Sequence, residues 1–194
     1  MIYKNYDVLI VGGGAAGFFS AINTAQKNPA LRVGILERGS NVLSKVKISG
    51  GGRCNVTHAE FEPKPLSSHY PRGQKELLGP FHTFMTGDTM QWFEERGVNL
   101  KIEEDGRVFP ESNSSQTIID CFTSEANKYN IDVLLNHSVQ DISTSKGGWE
   151  LSTPKGTFCA EKILIATGSS AKIWTLLERL GHQIVEAVPS LFTF

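Results

Sequence analysis

Residues 8–17 read VLIVGGGAAG, in which four β-prone residues run into a Gly12-x-Gly14-x-x-Gly17 pattern. The following segment, 15–27, carries alanines and apolar residues at helical spacing, so the glycines are predicted to occupy a strand-to-helix turn. In such a turn the first glycine permits the bend, the second lets the main chain approach a pyrophosphate, and the third lets the helix pack closely on the strand. Phosphates would also meet the free N–H groups at the positive end of the helix.

A second apolar run, residues 33–36, ends in Glu37 and Arg38. Glu37 follows the glycines at about 20 residues, the spacing of a carboxylate that binds ribose hydroxyls in dinucleotide sites. Its charge would repel the 2′-phosphate of NADP, although Arg38 could bind such a phosphate or stack on an adenine ring. The two patterns together predict a dinucleotide site, and they leave NAD and FAD open.

Length and composition restrict the class of protein. The chain has 194 residues, of which 40% are hydrophobic, and a formal net charge of −1. We therefore expect one domain over 1–194 that binds a small-molecule substrate, with neither nucleic acid nor a membrane as partner. The apolar run at 8–11 is too short for a signal peptide or a membrane span, which favours a cytoplasmic location. The oligomeric state stays open.

The cysteines argue against a metal site or a disulfide framework. Cys54, Cys121 and Cys159 are odd in number and widely spaced, as is typical of reduced thiols.

The middle of the chain, at about 58–110, is predicted to be an irregular excursion from the nucleotide-binding domain. Its first part, 58–80, shows little hydrophobic periodicity. A loop is expected at 39–47 before it. Within the excursion, a short helix at 89–96 is expected to be capped by Asp88. A hairpin of 98–103 with 107–109 is expected to turn at Asp105-Gly106.

Regular structure is predicted again from Ser115 onwards. The expected elements are a helix from Ser115 that ends at Asn130, a strand at 131–135, a meander of strands at 139–143, 149–152 and 157–160, a buried strand at 163–166 and a helix at 172–180. This order predicts an α/β fold, a Rossmann-like domain with a parallel sheet, helices and a small antiparallel meander. Because residues 189–194 end in an apolar run, we expect the sequence to be part of a longer protein.

The order of elements resembles the glutathione-reductase-like flavoproteins, whereas NAD dehydrogenases continue as βαβαβ. Three segments sharpen the resemblance: KISGGGRCNVT at 47–57, DGRVFP at 105–110 and LGH at 180–182. They are similar to a bacterial family of FAD-dependent oxidoreductases that includes aminoacetone oxidases and BaiN-type reductases. Members of that family are longer, with an inserted second domain and a C-terminal segment that completes the FAD site.

The resemblance implies that FAD is the cofactor, and it implies a role for each site residue. Gly12, Gly14, Ala15, Ala16 and Gly17 would surround the pyrophosphate. Glu37 would bind the ribose, and Arg38 and the backbone of Val139 would contact the adenine. The ribityl chain and flavin would lie along Gly51, Gly52, Arg53, Cys54 and Asn55, and Thr167 and Gly168 would also lie close to the cofactor. Lys45 and Lys47 would add positive charge near phosphates or a reduced flavin. Ser169 departs from the family pattern, where a second glycine is common, so the loop after Gly168 is expected to take a different path.

The chemistry would belong to the flavin, which the protein orients and tunes. No side chain is a persuasive catalytic group: the five histidines suit surface or structural roles, Cys54 has no local cysteine partner, and the three tryptophans suit a core. The leading hypothesis is an FAD-dependent oxidoreductase reduced by NAD(P)H or by its substrate. The alternatives are an NAD-linked dehydrogenase and a catalytically incomplete nucleotide-binding fragment. We expect this chain alone to bind FAD weakly or not at all, without turnover.

Overall fold

A computed structural model of the chain describes residues 3–187, apart from the side chain of Tyr3. The predicted apolar end at 189–194 lies outside these residues. The described chain divides into two compact units. The first unit runs to Lys45 and resumes over Phe122–Glu186, and the second unit is Val46–Cys121. Each unit is described separately below.

Among the described residues, helices and strands alternate over the first five elements, and four consecutive strands precede the last helix. In order they are β1 (Tyr3–Val11), α1 (Ala15–Lys27), β2 (Val33–Leu36), α2 (Ser44–Gly52), β3 (Thr57–His58), α3 (Pro63–Ser68), α4 (Gln74–Phe81), α5 (Thr86–Glu94), β4 (Leu100–Ile102), β5 (Arg107–Pro110), α6 (Ser115–Lys128), β6 (Asp132–Leu134), β7 (Asp141–Ser145), β8 (Gly148–Thr153), β9 (Gly156–Ile165) and α7 (Ala171–Arg179).

The first unit contains a six-stranded sheet in the order β6-β2-β1-β9-β8-β7. The pairs β6–β2, β2–β1 and β1–β9 are parallel, while β9–β8 and β8–β7 are antiparallel. The predicted parallel sheet and meander are thus confirmed, and β9 joins them into one sheet. Apolar β-prone runs at β1 and β2 suit strands that are covered on both faces.

One correction concerns β9. The prediction of separate strands at 157–160 and 163–166 is wrong, because Glu161 and Lys162 continue the strand. Lys162 pairs with Val8 in the parallel ladder, and the pairing extends from Tyr3↔Thr157 to Val11↔Ile165. The end of this strand is also half-exposed rather than buried, with Leu164 39% exposed.

One apolar cluster of the first unit lies on one face of this sheet. Alternate β1 residues, Leu9 and Val11, point to that face and pack with apolar residues of the meander and of α7. The cluster consists of Tyr6, Leu9, Val11, Leu36, Val139, Ile142, Leu151, Phe158, Ala160, Ile173 and Leu176. Helix α1 covers the other face, where a Cβ built at Gly17 would lie 3.5 Å from Cγ2 of Ile10. The end of β1 is therefore buried on both faces of the sheet.

The tryptophans only partly follow the prediction. Trp92 is buried, as predicted. Trp149 is half-buried and packs against the apolar cluster of the first unit. Trp174 is half-buried, so its assignment to the core is only partly met.

The second unit contains a three-stranded sheet in the order β3-β5-β4. The predicted hairpin is confirmed, and Gly106 at its turn has φ +81°. The prediction of irregular structure at 58–80 is wrong, because α3 and α4 lie there. Helices of six and eight residues show too few apolar repeats for a period to be visible, and Pro63 stands in the first turn, where its missing N–H costs nothing.

Two helix starts also differ from the prediction. Helix α2 begins at Ser44, inside the segment predicted as a loop, and the helical geometry breaks at Ser49–Gly51. Helix α5 begins at Thr86, and Asp88 is its third residue rather than its cap. The Asp88 carboxylate accepts a hydrogen bond from the N–H of Met85 at 2.6 Å, which satisfies one of the free donors at the helix start.

Candidate functional site

The three glycines of the Gly12-x-Gly14-x-x-Gly17 pattern differ in the space around them. At Gly12, with φ +115°, a Cβ would lie 2.5 Å from the carbonyl oxygen of Ala166, and at Gly17 it would lie 1.9 Å from the carbonyl oxygen of Gly12. At Gly14 a Cβ would meet nothing within 4 Å. The outer glycines therefore permit the bend and the close packing of α1, whereas the middle glycine keeps the main chain open to a ligand.

The N-terminus of α1 opens on this turn. Gly14 is its N-cap residue, in an extended conformation and with no side-chain cap. The first intrahelical bond runs from Phe18 N–H to the carbonyl of Gly14 at 3.0 Å, so the N–H groups of Ala15, Ala16 and Gly17 have no partner within the helix. Ala15 and Ala16 are exposed. The turn can thus present several donors and the positive end of the helix dipole to an anion.

Glu37 is held at the end of β2 by the glycines around it. Its Oε2 accepts a hydrogen bond from Gly13 N–H at 2.8 Å, and its Oε1 accepts one from Gly39 N–H at 2.7 Å. Each carboxylate oxygen can accept a second hydrogen bond. The side chain is half-buried and fixed in place, with acceptor capacity left for hydroxyl groups of a ligand.

A cleft in the first unit brings five predicted residues together. Gly12, Glu37, Arg38, Val139 and Thr167 all line it. They come from the carboxyl ends of β1, β2 and β9 and from the segment after β6. Because the carboxyl ends of parallel strands share one edge of a sheet, residues distant in sequence converge here, as in the ligand crevices of open α/β sheets.

Sequence reasoning missed other residues of this cleft. His137 and Ser138 follow β6, while Ser170, Lys172 and Ile173 lie at the start of α7. The sequence analysis predicts a surface or structural role for this histidine, and nothing in its sequence neighbourhood marks it as a site residue. For the start of α7 a positional signal existed, since it follows Thr167 and Gly168, which are predicted to approach the cofactor.

Two further predicted residues lie near each other in the first unit. Gly168 has φ +59°, and a Cβ built on it would lie 3.7 Å from Nζ of Lys45. The N–H of Ser170 donates to the carbonyl of Gly168 at 3.0 Å, so the loop makes a tight turn before α7. Lys45 therefore places a positive charge beside the end of β9.

The remaining predicted residues belong to the second unit. Gly51 and Gly52 have φ +68° and +85°, and nothing lies within 4 Å of a Cβ at Gly51. The side chain of Arg53 already has two partners. Its Nη1 lies 2.6 Å from Glu103 Oε1, and its guanidinium carbon lies 3.9 Å from the ring centre of Phe109. The arginine is thus fixed by an ion pair and a cation–π contact within its own unit.

Cys54 and Asn55 complete that group. Cys54 is buried with φ +63°, and burial raises the pKa of its thiol. A raised pKa disfavours the thiolate, which is the nucleophilic form. Asn55 is exposed. Among residues 3–187, no three His, Cys, Asp or Glu side chains are grouped so that they could hold a metal ion.

The parallel sheet, the glycine turn and the joined meander define a Rossmann-like domain. The chain belongs to the family described as HI0933-like protein Rossmann domain, whose model matches residues 6–188. This confirms the family resemblance and the fold predicted from the sequence.

Two curated relatives match nearly the whole chain. It is 25% identical to the 3-dehydro-bile acid delta(4,6)-reductase of Clostridium scindens, with 94% of this chain and 46% of that protein covered. It is 29% identical to the ribosomal RNA dihydrouridine synthase of Escherichia coli, with 94% and 44% covered. The chain thus spans less than half the length of these relatives.

A solved structure shares the fold. The 3-ketosteroid-delta4-(5alpha)-dehydrogenase of Rhodococcus jostii superposes with a TM-score of 0.62 at 16% identity, over 86% of this chain and 46% of that one. In the part of the chain that is described, no helix combines the length and apolar character needed to cross a bilayer.

Proposed function

We propose that this chain supplies the adenosine-diphosphate part of the cofactor site of an FAD-dependent oxidoreductase. The observation that carries the proposal is the pairing of an unobstructed Gly14 at the start of α1 with a Glu37 carboxylate fixed by two backbone N–H groups. A pyrophosphate needs the first feature and a ribose diol needs the second.

The residues of the first unit fit this ligand. The N–H groups of Ala15, Ala16 and Gly17 would donate to the pyrophosphate, and Glu37 would accept from the ribose hydroxyls. Arg38 and Val139 line the same cleft and would border the adenine. A 2′-phosphate would meet the Glu37 carboxylate, so the fit favours FAD over NADP at this position.

The flavin would supply the redox chemistry, and the protein would bind and orient it. Lys45, beside the end of β9, would place positive charge near the phosphates or the flavin. In the second unit, Gly51, Gly52, Arg53, Cys54 and Asn55 would follow the cofactor towards its flavin end, as the family resemblance implies. Thr167 and Gly168 would approach it from the end of β9.

The substrate would be a small molecule, and the reducing agent would be NAD(P)H or the substrate itself. The names of the two curated relatives support an oxidoreductase but differ in what they act on, a bile acid in one and ribosomal RNA in the other.

The test is an NMR titration of the chain with FAD and with ADP, since chemical-shift changes report binding even at millimolar dissociation constants. We expect the largest shifts at the amides of residues 13–17 and 37–39. Glu37→Ala should weaken ADP binding about tenfold because it removes charge-assisted hydrogen bonds to the ribose.

The matched control is Glu178→Ala, which removes the same charge from an exposed position on α7 of the same unit. It should bind ADP like the wild type. Equal affinity of the Glu37 variant and the control, or shifts elsewhere in the chain, would contradict the proposal.

A further inference from the structure

His137 is fixed in the cleft by three contacts. Its backbone N–H donates to the carbonyl of Glu37 at 2.8 Å, and its ring packs edge-on against Phe158 with centroids 5.4 Å apart. Its Nδ1 lies 2.8 Å from the carbonyl oxygen of Leu135. Before it, Asn136 has φ +59° and donates its N–H to the carbonyl of Gly39 at 2.9 Å, which turns the chain towards the cleft.

The contact with Leu135 assigns the tautomer of His137. A carbonyl oxygen only accepts hydrogen bonds, so Nδ1 must be the donor to Leu135. In the neutral imidazole the other nitrogen, Nε2, is then an acceptor. Because His137 lines the cleft, the cleft contains a side chain whose Nε2 can accept one hydrogen bond while Nδ1 donates to Leu135.

The other polar side chains of the cleft lack an acceptor of fixed direction. Arg38 and Lys172 can only donate, and the hydroxyls of Ser138, Thr167 and Ser170 can rotate either to donate or to accept, so they do not distinguish an amino group from a carbonyl. The oxygens of Glu37 already accept from Gly13 and Gly39 and, in the proposed function, from the ribose.

We infer that His137 is the residue that selects adenine over guanine at this site, with Nε2 accepting a hydrogen bond from the 6-amino group of the base. Guanine presents a carbonyl oxygen at the same position, which would face the Nε2 lone pair without a proton between them. The inference rests on the proposed function, because it takes the cleft to hold the base of the nucleotide.

Two substitutions of His137 distinguish the role of Nδ1 as a donor from the role of Nε2 as an acceptor. His137→Asn places an amide N–H where Nδ1–H donates to Leu135 and removes the acceptor at Nε2. His137→Gln reaches the Nε2 position with an amide oxygen and gives up the Nδ1 donor. His182→Asn is the matched control, since His182 is exposed in the same unit and does not line the cleft.

The experiment measures dissociation constants for ADP and GDP by NMR titration of the wild type and the three variants. We expect the wild type to prefer ADP, His137→Asn to lower that preference about tenfold, His137→Gln to retain part of it, and the control to match the wild type. An unchanged preference in His137→Asn would overturn the inference.

A second readout comes from the imidazole itself. The ¹⁵N resonance of His137 Nε2 should move when ADP is added and should move less with GDP, whereas a purely structural histidine would respond to neither. If ADP binds at residues 13–17 with no change at Nε2, the inference fails and the proposed function stands. If neither nucleotide binds the wild type, both fail.

Discussion

Gly14 and Gly17 lie three residues apart in one turn, yet a methyl group would act differently at each. At Gly17 it would overlap the carbonyl oxygen of Gly12, and a backbone atom cannot move aside as a flexible side chain can. At Gly14 it would enter open space, and the backbone conformation there, φ −90° and ψ −173°, suits any residue. Gly17 is thus required by the fold, whereas Gly14 would be required only by the ligand of the proposed site.

Two substitutions test this division at the residue scale. Gly17→Ala should lower the free energy of unfolding by about 2–3 kcal/mol because α1 must shift away from the turn. Gly14→Ala should change it by less than about 0.5 kcal/mol, but should weaken ADP binding because the methyl group stands between main chain and pyrophosphate. Urea unfolding and NMR titration measure the two effects. Equal destabilisation by both changes would refute this assignment.

At the scale of elements, a buried tyrosine links two strands that are not neighbours. The hydroxyl of Tyr6 on β1 donates to Oδ2 of Asp132 on β6 at 2.8 Å, across the intervening β2. Arg32 lies 3.3 Å from the same oxygen and 4.6 Å from the centre of the Tyr6 ring. Burial, and then the hydrogen bond to Asp132, raise the pKa of Tyr6 to about 12.

This link predicts a pH dependence. The folded state favours the protonated phenol, so its stabilising contribution is complete below the ordinary pKa of about 10 and is lost as the pH rises towards 12. Tyr6→Phe should therefore show a shallower loss of stability between pH 10 and 12 than the wild type, measured by urea unfolding at each pH. Tyr70→Phe, at an exposed tyrosine, is the control and should follow the wild type. Parallel curves for the wild type and Tyr6→Phe would exclude this role.

The elements differ in how far the sequence predicts them. The β1–α1–β2 unit follows from local periodicity and from glycines at fixed spacing, and α1 begins and ends where expected, at Ala15–Lys27. The continuity of β9 could not be read locally, because its charged residues stay in the strand only through pairing with β1. In the site, Glu37 and Arg38 follow from a motif, whereas His137 reaches the cleft through the turn at Asn136, which depends on a contact with Gly39.

At the scale of the whole molecule, β9 leaves part of one edge open. β1 pairs along one side of β9, and β8 pairs along the other side only as far as Ala160. Among the described residues, no strand pairs with Glu161–Ile165 on the β8 side. Leu164 in this segment is partly exposed. Glu161 and Lys162 are exposed at the point where the pairing stops, and charged residues at an open edge oppose pairing with a second molecule.

Removing these charges should promote self-association. The double substitution Glu161→Thr with Lys162→Thr leaves the net charge unchanged and favours strand structure, so sedimentation velocity should show more dimer or larger species than for the wild type. Lys75→Thr with Glu76→Thr makes the same chemical change on the exposed surface of α4 and should remain like the wild type. Similar sedimentation of both double variants would show that the open edge has no such tendency.

The pairing of β1 with β9 also has a consequence during translation. Tyr3 is paired with Thr157, so the first strand leaves the ribosome long before its central partner exists. At about 5–20 residues per second, the interval for about 150 residues is on the order of 8–30 s. Until then β1 can pair with β2 alone. The backbone N–H and C=O groups of its other edge are unpaired, and the apolar side chains of Leu9–Val11 are uncovered, so chaperones and neighbouring nascent chains can reach both.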